Sequence, residues 1–307
     1  MPEGEVSVVR EGARLLWRRQ RVLWWLYGIN LLLGLIGTLP SLGNVGAVLN
    51  HSLAGQHLVN GFDLGFLAEL AAQPSHPLSA GAPASILLAV AFFVLMLLFE
   101  GGILEAYRRD SRLTASEFLE ASGRMFWRFV RLLILMLIAL VPVALIAGGV
   151  NRWSNKLATE ARGGMVGFWV ELVGSVLVLF MLMSVRLWID MAQVRAVAEN
   201  EQAIRRTLIA AFKLTWGNFR TLFGIYLRIS VMAWAFWAAA FWVWIRVVRP
   251  EGVGASFLLG QAILLVWLGT RLWQRASETL WYQRHRPAPP PPWDTWSAPE
   301  PATASIP

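Results

Sequence analysis

Six long apolar runs constrain the fold of this chain more than any other feature of its sequence. Each is about 20 residues or longer, which is the length that an α-helix needs to cross the apolar core of a bilayer. The chain is 56% hydrophobic and only 15% charged, whereas soluble domains are roughly 25% charged. The sequence therefore predicts an all-α integral membrane protein with six transmembrane helices. The predicted spans lie near residues 22–41, 84–106, 129–150, 166–194, 221–246 and 255–283.

The basic residues are unequally distributed between the segments that connect these runs. Of the 27 Lys and Arg residues, twenty lie before the first run, between the second and third, between the fourth and fifth, or at and beyond the end of the sixth; five lie in the other connections. Lys and Arg are enriched in cytoplasmic loops. We therefore expect both termini to be cytoplasmic and the protein to lie in a bacterial-type inner (plasma) membrane. Topology then accounts for the net charge of +8 without a nucleic-acid partner.

The spans divide the chain into three regions. Residues 1–21 are predicted to be a cytoplasmic amphipathic segment, residues 22–286 a six-span membrane domain, and residues 287–307 a disordered cytoplasmic tail rich in proline. The loop of residues 41–83 is apolar enough for short helices on the outer membrane surface, and a small lid or docking surface is the alternative. A basic start before an apolar run also fits a signal peptide, but this run of about 18 residues exceeds the usual 7–15.

A motif recurs three times at the boundary between a basic segment and a span. RLLWRRQRVLWWL begins at Arg14, RMFWRFVRLLILM at Arg124 and KLTWGNFRTLFGI at Lys213. We interpret these as three repeats, each with one amphipathic helix on the inner leaflet that turns at a Trp/Arg elbow into the first of two spans. Interface chemistry alone is the alternative, because Trp and Arg four residues apart both favour the headgroup region. The interfacial elbow pairs are Trp17/Arg21, Trp127/Arg131 and Trp216/Arg220.

Seven of the charged residues inside the predicted spans form a candidate polar cluster in the cytoplasmic half of the bilayer. A charge within a bilayer is costly, so such residues usually face the interior of the bundle and find a partner. The interpretation that we favour is structural, with ion pairs holding the helices in register. The alternative is a polar chamber open to the cytoplasm that holds an anionic headgroup or a small solute. The candidate polar cluster consists of Glu100, Arg186, Asp190, Arg228, Arg271, Arg275 and Glu278.

The sequence offers no recognisable chemistry. It contains no cysteine, no phosphate-binding glycine loop and no nucleophile elbow. The spacing of the four histidines matches no zinc motif, and Gly163-x3-Gly167 more often indicates packing or a turn than a dimer. We therefore expect no catalytic residue, no cofactor and no metal. The histidines are His51, His57, His76 and His285.

With its three Trp-x3-Arg-x-Leu elbows and paired spans, the chain resembles a group of bacterial six-span inner-membrane proteins of unknown function, over about residues 8–286. It also resembles the membrane domain fused to some glycerophosphodiester phosphodiesterases. The sequence contains no phosphodiesterase barrel, so the resemblance implies a lipid-related role but no catalytic residue. We expect a non-enzymatic scaffold, assembly or lipid-associated accessory protein, with membrane lipids and a protein in the membrane as its partners. A small transporter or flippase-like protein is the alternative, and a membrane enzyme is third.

Overall fold

The computed structural model describes residues 3–50, 82–109, 113–160, 165–201, 203–247 and 253–285. Within this part the chain forms helices and no strand. The proline-rich tail lies outside the described residues, as does most of the predicted outer loop, which is helical at both described ends. The helices are α1 (Glu3–Arg18), α2 (Gln20–Asn50), α3 (Ala82–Arg108), α4 (Ala115–Glu160), α5 (Met165–Ala198), α6 (Ile204–Gly217), α7 (Phe219–Val247) and α8 (Val253–His285).

Six of these helices are long and apolar enough to cross a membrane, which confirms the predicted fold class. The helix α4 has 46 residues and is about 69 Å long at 1.5 Å per residue, more than twice the roughly 30 Å of the bilayer core. Its first four turns precede the predicted third span. The candidate spans are Gln20–Thr38, Ile86–Arg108, Ala115–Thr159, Met165–Ala198, Phe219–Val247 and Gly254–His285.

Two of the three predicted elbows are breaks between helices. The first is at Arg19, whose N–H donates to both Leu15 O and Leu16 O at 3.0 Å. The third is at Asn218, where Gly217 and Asn218 are both weak helix formers. The prediction of a turn at the middle elbow is wrong, because α4 is continuous through Trp127. Residues 128–141, which follow Trp127, contain neither Gly nor Pro, so no helix-breaking residue lies at this elbow.

We use the name lead-in segments for α1, residues 115–131 of α4, and α6. The lead-in of α4 packs against α3, with its apolar residues three or four apart. Gly101 and Gly102 of α3 allow a close approach, since a Cβ atom built on Gly101 would lie 2.8 Å from Met125 Cβ. The lead-in therefore runs beside the bundle rather than apart from it. Its buried residues are Phe118, Ala121, Ser122, Met125 and Phe129.

The lead-in α1 packs against the last turns of α8. Val8 is buried in the core, and Trp273 Nε1–H donates to Val9 O at 2.7 Å. A Cβ atom built on Gly12 would lie 2.1 Å from Ser277 Oγ, so only glycine fits at this contact. The helices α1 and α8 are therefore in direct contact.

The lead-in α6 packs against α5 in the same way. Trp188 Nε1–H of α5 donates to Leu208 O at 3.0 Å, and the α6 residues that face the bundle are again three or four apart. Each of the three lead-in segments thus buries one face against a helix of the bundle. The buried residues of α6 are Ile204, Thr207, Ala211 and Thr215.

The core lies mainly at one end of the bundle, which we call the arginine-rich end. It is the end at which α3, α5 and α8 finish, and the lead-in segments surround it. Towards the other end many large apolar side chains are exposed, including Leu145, Val173 and Leu258. Close packing persists there between α4 and α5, where Ser154 Oγ–H donates to Gly167 O at 2.8 Å. Gly163 of the predicted small-xxx-small motif lies outside the described residues.

Candidate functional site

Three helices bring six of the seven predicted intramembrane charges together. Glu100 lies on α3, Arg186 and Asp190 on α5, and the remaining three on α8. In α5 and α8 the charged residues are three or four apart, which places them on one helical face. We call these six residues the ion-pair cluster: Glu100, Arg186, Asp190, Arg271, Arg275 and Glu278.

Arg275 is the centre of the ion-pair cluster. Its Nη2 lies 2.9 Å from Asp190 Oδ1, its Nη1 lies 3.3 Å from Glu278 Oε2, and its Nε contacts Glu100 Oε1. All four side chains are buried. One guanidinium group therefore links carboxylates from α3, α5 and α8, with a geometry that its planar fork of donors allows.

Arg186 and Arg271 lie at the edge of the cluster. Arg271 Nη2 is 3.3 Å from Glu100 Oε2, and Arg186 Nε is 3.7 Å from Asp190 Oδ2, too long for a hydrogen bond. The side chain of Arg271 is 36% exposed and that of Arg186 is 53% exposed, whereas the side chains of the carboxylates are at most 8% exposed. The cluster has three cations and three carboxylates, so it is formally neutral. The charge that it exposes is nonetheless mainly positive.

Two glutamines that the sequence analysis did not identify also contact the cluster. Gln274 Nε2–H donates to Glu278 Oε1 at 2.8 Å, and Arg275 Nη2–H donates to Gln193 Oε1 at 2.6 Å. Helical spacing could have indicated both, because Gln193 is three residues from Asp190 and Gln274 is four from Glu278. Arg228, the seventh predicted charge, is not on these three helices. It lies on α7, on a face other than that of Tyr226 and Ile229, and is partly exposed.

A cavity of about 1010 Å³ adjoins the cluster. It lies between α3, α4, α5, α7 and α8, and large apolar side chains form most of its walls. Arg186 and Arg271, with the carboxylates that they contact, form its polar floor. Ser230 and Thr270 are polar residues of the walls near that floor. The apolar walls include Phe92, Leu140, Leu179, Trp237 and Trp267.

The cavity extends from the ion-pair cluster away from the arginine-rich end. One turn further towards that end, side chains of α3 and α5 such as Leu104, Met191 and Val194 are buried in the core and do not line the cavity. In the part of the chain that the structure describes, this packed layer separates the cavity from the arginine-rich end. The alternative hypothesis, a polar chamber open to the cytoplasm, stays a prediction.

The six elbow residues do not line the cavity. All six side chains are on the exposed surface, including the three indoles and the three guanidinium groups. This exposure suits contact with lipid headgroups or water, for which Trp and Arg are both adapted. The residues are Trp17, Arg21, Trp127, Arg131, Trp216 and Arg220.

One predicted histidine can be placed. His285 stacks on Trp281 at the end of α8, with ring centroids 4.3 Å apart, and its Nδ1 lies 2.9 Å from Trp281 O. His51, His57 and His76 lie outside the described residues. Where the structure describes the chain, it contains no group of three or more His, Asp or Glu side chains that could hold a metal ion.

A comparison with protein-family models finds no match, and comparisons with curated proteins and with solved structures find none either. The resemblance to six-span inner-membrane proteins and to the phosphodiesterase-linked membrane domain therefore stays a prediction. The fold and the geometry of the cavity are the basis for any proposal of function.

Proposed function

We propose that this chain is a non-enzymatic, lipid-associated accessory protein of an inner (plasma) membrane, and that its central cavity takes up the apolar part of an anionic amphiphile. The observation that carries the proposal is the cavity itself, whose walls are apolar and whose floor exposes two guanidinium groups. Its volume of about 1010 Å³ is at the upper end of the range for small-molecule sites.

The charges of the floor suit an anionic group. Arg186 makes only a long ion pair with Asp190, so most of its five N–H donors remain for a ligand. The carboxylates, in contrast, are buried and engaged by Arg275 and Gln274. An anion that enters the cavity would therefore meet the edges of the guanidinium groups first.

The orientation of the protein belongs to the proposal as well. Six candidate spans and the excess of arginine at one end support cytoplasmic termini through the positive-inside rule. The ion-pair cluster would then lie towards the cytoplasmic leaflet, and the cavity would extend into the bilayer. An acyl chain in the cavity would point away from the cytoplasm, with its headgroup near Arg186 and Arg271.

The proposal is tested by mass spectrometry of the lipids that the full chain retains in native nanodiscs. Ala233 lines the cavity, so Ala233→Trp should fill part of it and reduce the retained lipid. Ala235→Trp is the matched control, because Ala235 lies two residues further along α7, is exposed and does not line the cavity. The double variant Arg186→Gln/Arg271→Gln should retain fewer anionic lipids. Identical lipid retention by all four proteins would contradict the proposal.

A small transporter or flippase-like protein is the second candidate. The ion pairs that close the cavity floor favour it, because charges of this kind often mark a solute or ion pathway. Such a pathway requires water in the cavity. Since the native chain has no cysteine, Ser230→Cys and Thr270→Cys report on the cavity, with Ser184→Cys on α5 as a control outside its lining. Reaction of both cavity positions with a polar thiol reagent would favour transport, and protection would favour a cavity filled by lipid.

A further inference from the structure

A second groove lies between α4 and the beginning of α6, outside the central cavity. Its volume is about 500 Å³. One wall carries the apolar side chains of Ile134 and Leu135, and the other carries Ala203 and Ile204. Three exposed arginines also line the groove: Arg131, Arg205 and Arg206.

The surface of the groove is almost entirely apolar, its three arginines are exposed at the surface of the protein, and no carboxylate lines it. None of the three arginines forms an ion pair with a carboxylate of the described residues. Glu201 is the acidic residue closest to the groove in sequence, but its carboxylate is engaged elsewhere. It lies 3.5 Å from Arg195 Nε and accepts a hydrogen bond from Thr207 Oγ1 at 2.9 Å. The groove thus differs from the ion-pair cluster, in which three carboxylates balance three arginines.

The surroundings of the groove contribute to its affinity for an anion. The residue before α6 is Ala203, which provides no side-chain cap, so the positive end of the α6 dipole is not offset by a capping oxygen. Trp127, one turn before Arg131 on α4, is exposed, and exposed indoles favour the membrane interface. The arginines therefore lie where a lipid phosphate would be, and Ile134 and Leu135 lie where its acyl chains would begin.

We propose that this groove is a binding site for an anionic phospholipid, whose phosphate contacts Arg131, Arg205 and Arg206 and whose acyl chains pack against Ile134 and Leu135. Charge complementarity selects the anionic headgroup, because a zwitterionic headgroup would bring its own cation close to three arginines. The apolar wall selects a lipid over free phosphate. The site is separate from the central cavity and does not depend on the function proposed for it.

The test uses the full chain in detergent, with thermal stability as the measure of binding. The probes are short-chain phosphatidylglycerol, short-chain phosphatidylcholine and inorganic phosphate. We expect stabilisation by phosphatidylglycerol and by neither of the others. Arg131→Gln/Arg205→Gln/Arg206→Gln should weaken phosphatidylglycerol binding about 100-fold, from about fivefold for each arginine. The matched control is Arg10→Gln/Arg14→Gln/Arg18→Gln, which removes three exposed arginines of α1 and should change the binding less than threefold.

The outcomes that overturn the groove site are distinct. Equal weakening in both triple variants would show a diffuse charge effect, and equal stabilisation by phosphate and phosphatidylglycerol would show an anion site without lipid. A response lost in Ala233→Trp but kept in the groove variant would assign phosphatidylglycerol to the central cavity, which would overturn the groove site and leave the proposed function in place. Without ligand, both triple arginine variants should unfold near the wild-type temperature, because the substituted arginines are exposed.

Discussion

Arg275 is the residue on which the ion-pair cluster depends. It is buried and contacts Glu100, Asp190 and Glu278, and removal of one partner from a buried ionic network leaves the others uncompensated. We therefore predict that Arg275→Met destabilises the protein by about 3–5 kcal/mol. The measurement is the free energy of unfolding by denaturant in detergent micelles.

Arg186 provides the control for this prediction. It belongs to the same cluster, but its side chain is 53% exposed and its ion pair with Asp190 is 3.7 Å long. An exposed pair of this kind contributes about 0–1 kcal/mol, so Arg186→Met should be nearly neutral for stability. Equal losses in the two variants would mean that the network acts as one unit. A neutral Arg275→Met would refute its central role.

At the scale of whole helices, the lead-in segments fix the level of the ion-pair cluster. Because Gly101 of α3 faces Met125 of α4, Trp127 lies within about one turn of the level of Glu100. Trp216 of α6 lies close to the level of Arg186 on α5 by the same argument, since Phe212 contacts Trp188 and Phe219 contacts Phe180. The exposed indoles thus surround the cluster. Their preference for the interface places it near the membrane surface rather than deep in the bilayer.

A pair of leucines on α4 tests this level. Leu119 and Leu137 are 55% and 54% exposed, but they lie on opposite sides of Trp127 along the helix. We predict that a membrane-impermeant thiol reagent, added on the side of the membrane at which the arginine-rich end lies, modifies Leu119→Cys at least about tenfold faster than Leu137→Cys, since thiolate formation requires water. Similar protection of both positions would place the whole lead-in in the bilayer.

The number of the spans followed from the sequence, because the length of an apolar run is a local property. The same holds for the lead-in segments, whose buried residues recur at helical spacing, as Phe118, Met125 and Phe129 do. Which charges meet was only partly predictable. Arg228 and Arg271 look equivalent in the sequence, but only the packing of the helices brings Arg271 into contact with Glu100 of α3. The central cavity could not be predicted at all, because it depends on the spaces between five helices.

At the scale of the whole molecule, the first and last of the described helices, α1 and α8, are in contact. The contact of α1 with α8 includes the ion pair of Glu11 with Arg284, the hydrogen bond from Trp273 to Val9 and the close approach of Gly12 to Ser277. The residues of α8 that contact α1 lie on both sides of Arg275 in the sequence, from Trp273 to Arg284. A change in the docking of α1 therefore acts on the helix that carries half of the ion-pair cluster.

Gly12→Ala tests this closure. The added Cβ atom would lie 2.1 Å from Ser277 Oγ, and overpacking of this kind costs about 1–3 kcal/mol. Helix propensity acts in the opposite direction, since alanine is the better helix former. We predict that the exposed arginines of α1 become about 5- to 150-fold more sensitive to trypsin, because cleavage follows the population of the open form.

The exchanged pair Gly12→Ser/Ser277→Gly separates this contact from a general weakening of α1. It moves the side chain from one helix to the other, and the small space between the helices is kept. Trypsin sensitivity should therefore return most of the way to that of the wild type. If Gly12→Ala leaves the cleavage rate unchanged, α1 is not held by α8 and lies free on the membrane surface. If the exchange does not restore protection, the Gly12→Ala substitution acts within α1 itself, and α1 and α8 fold independently.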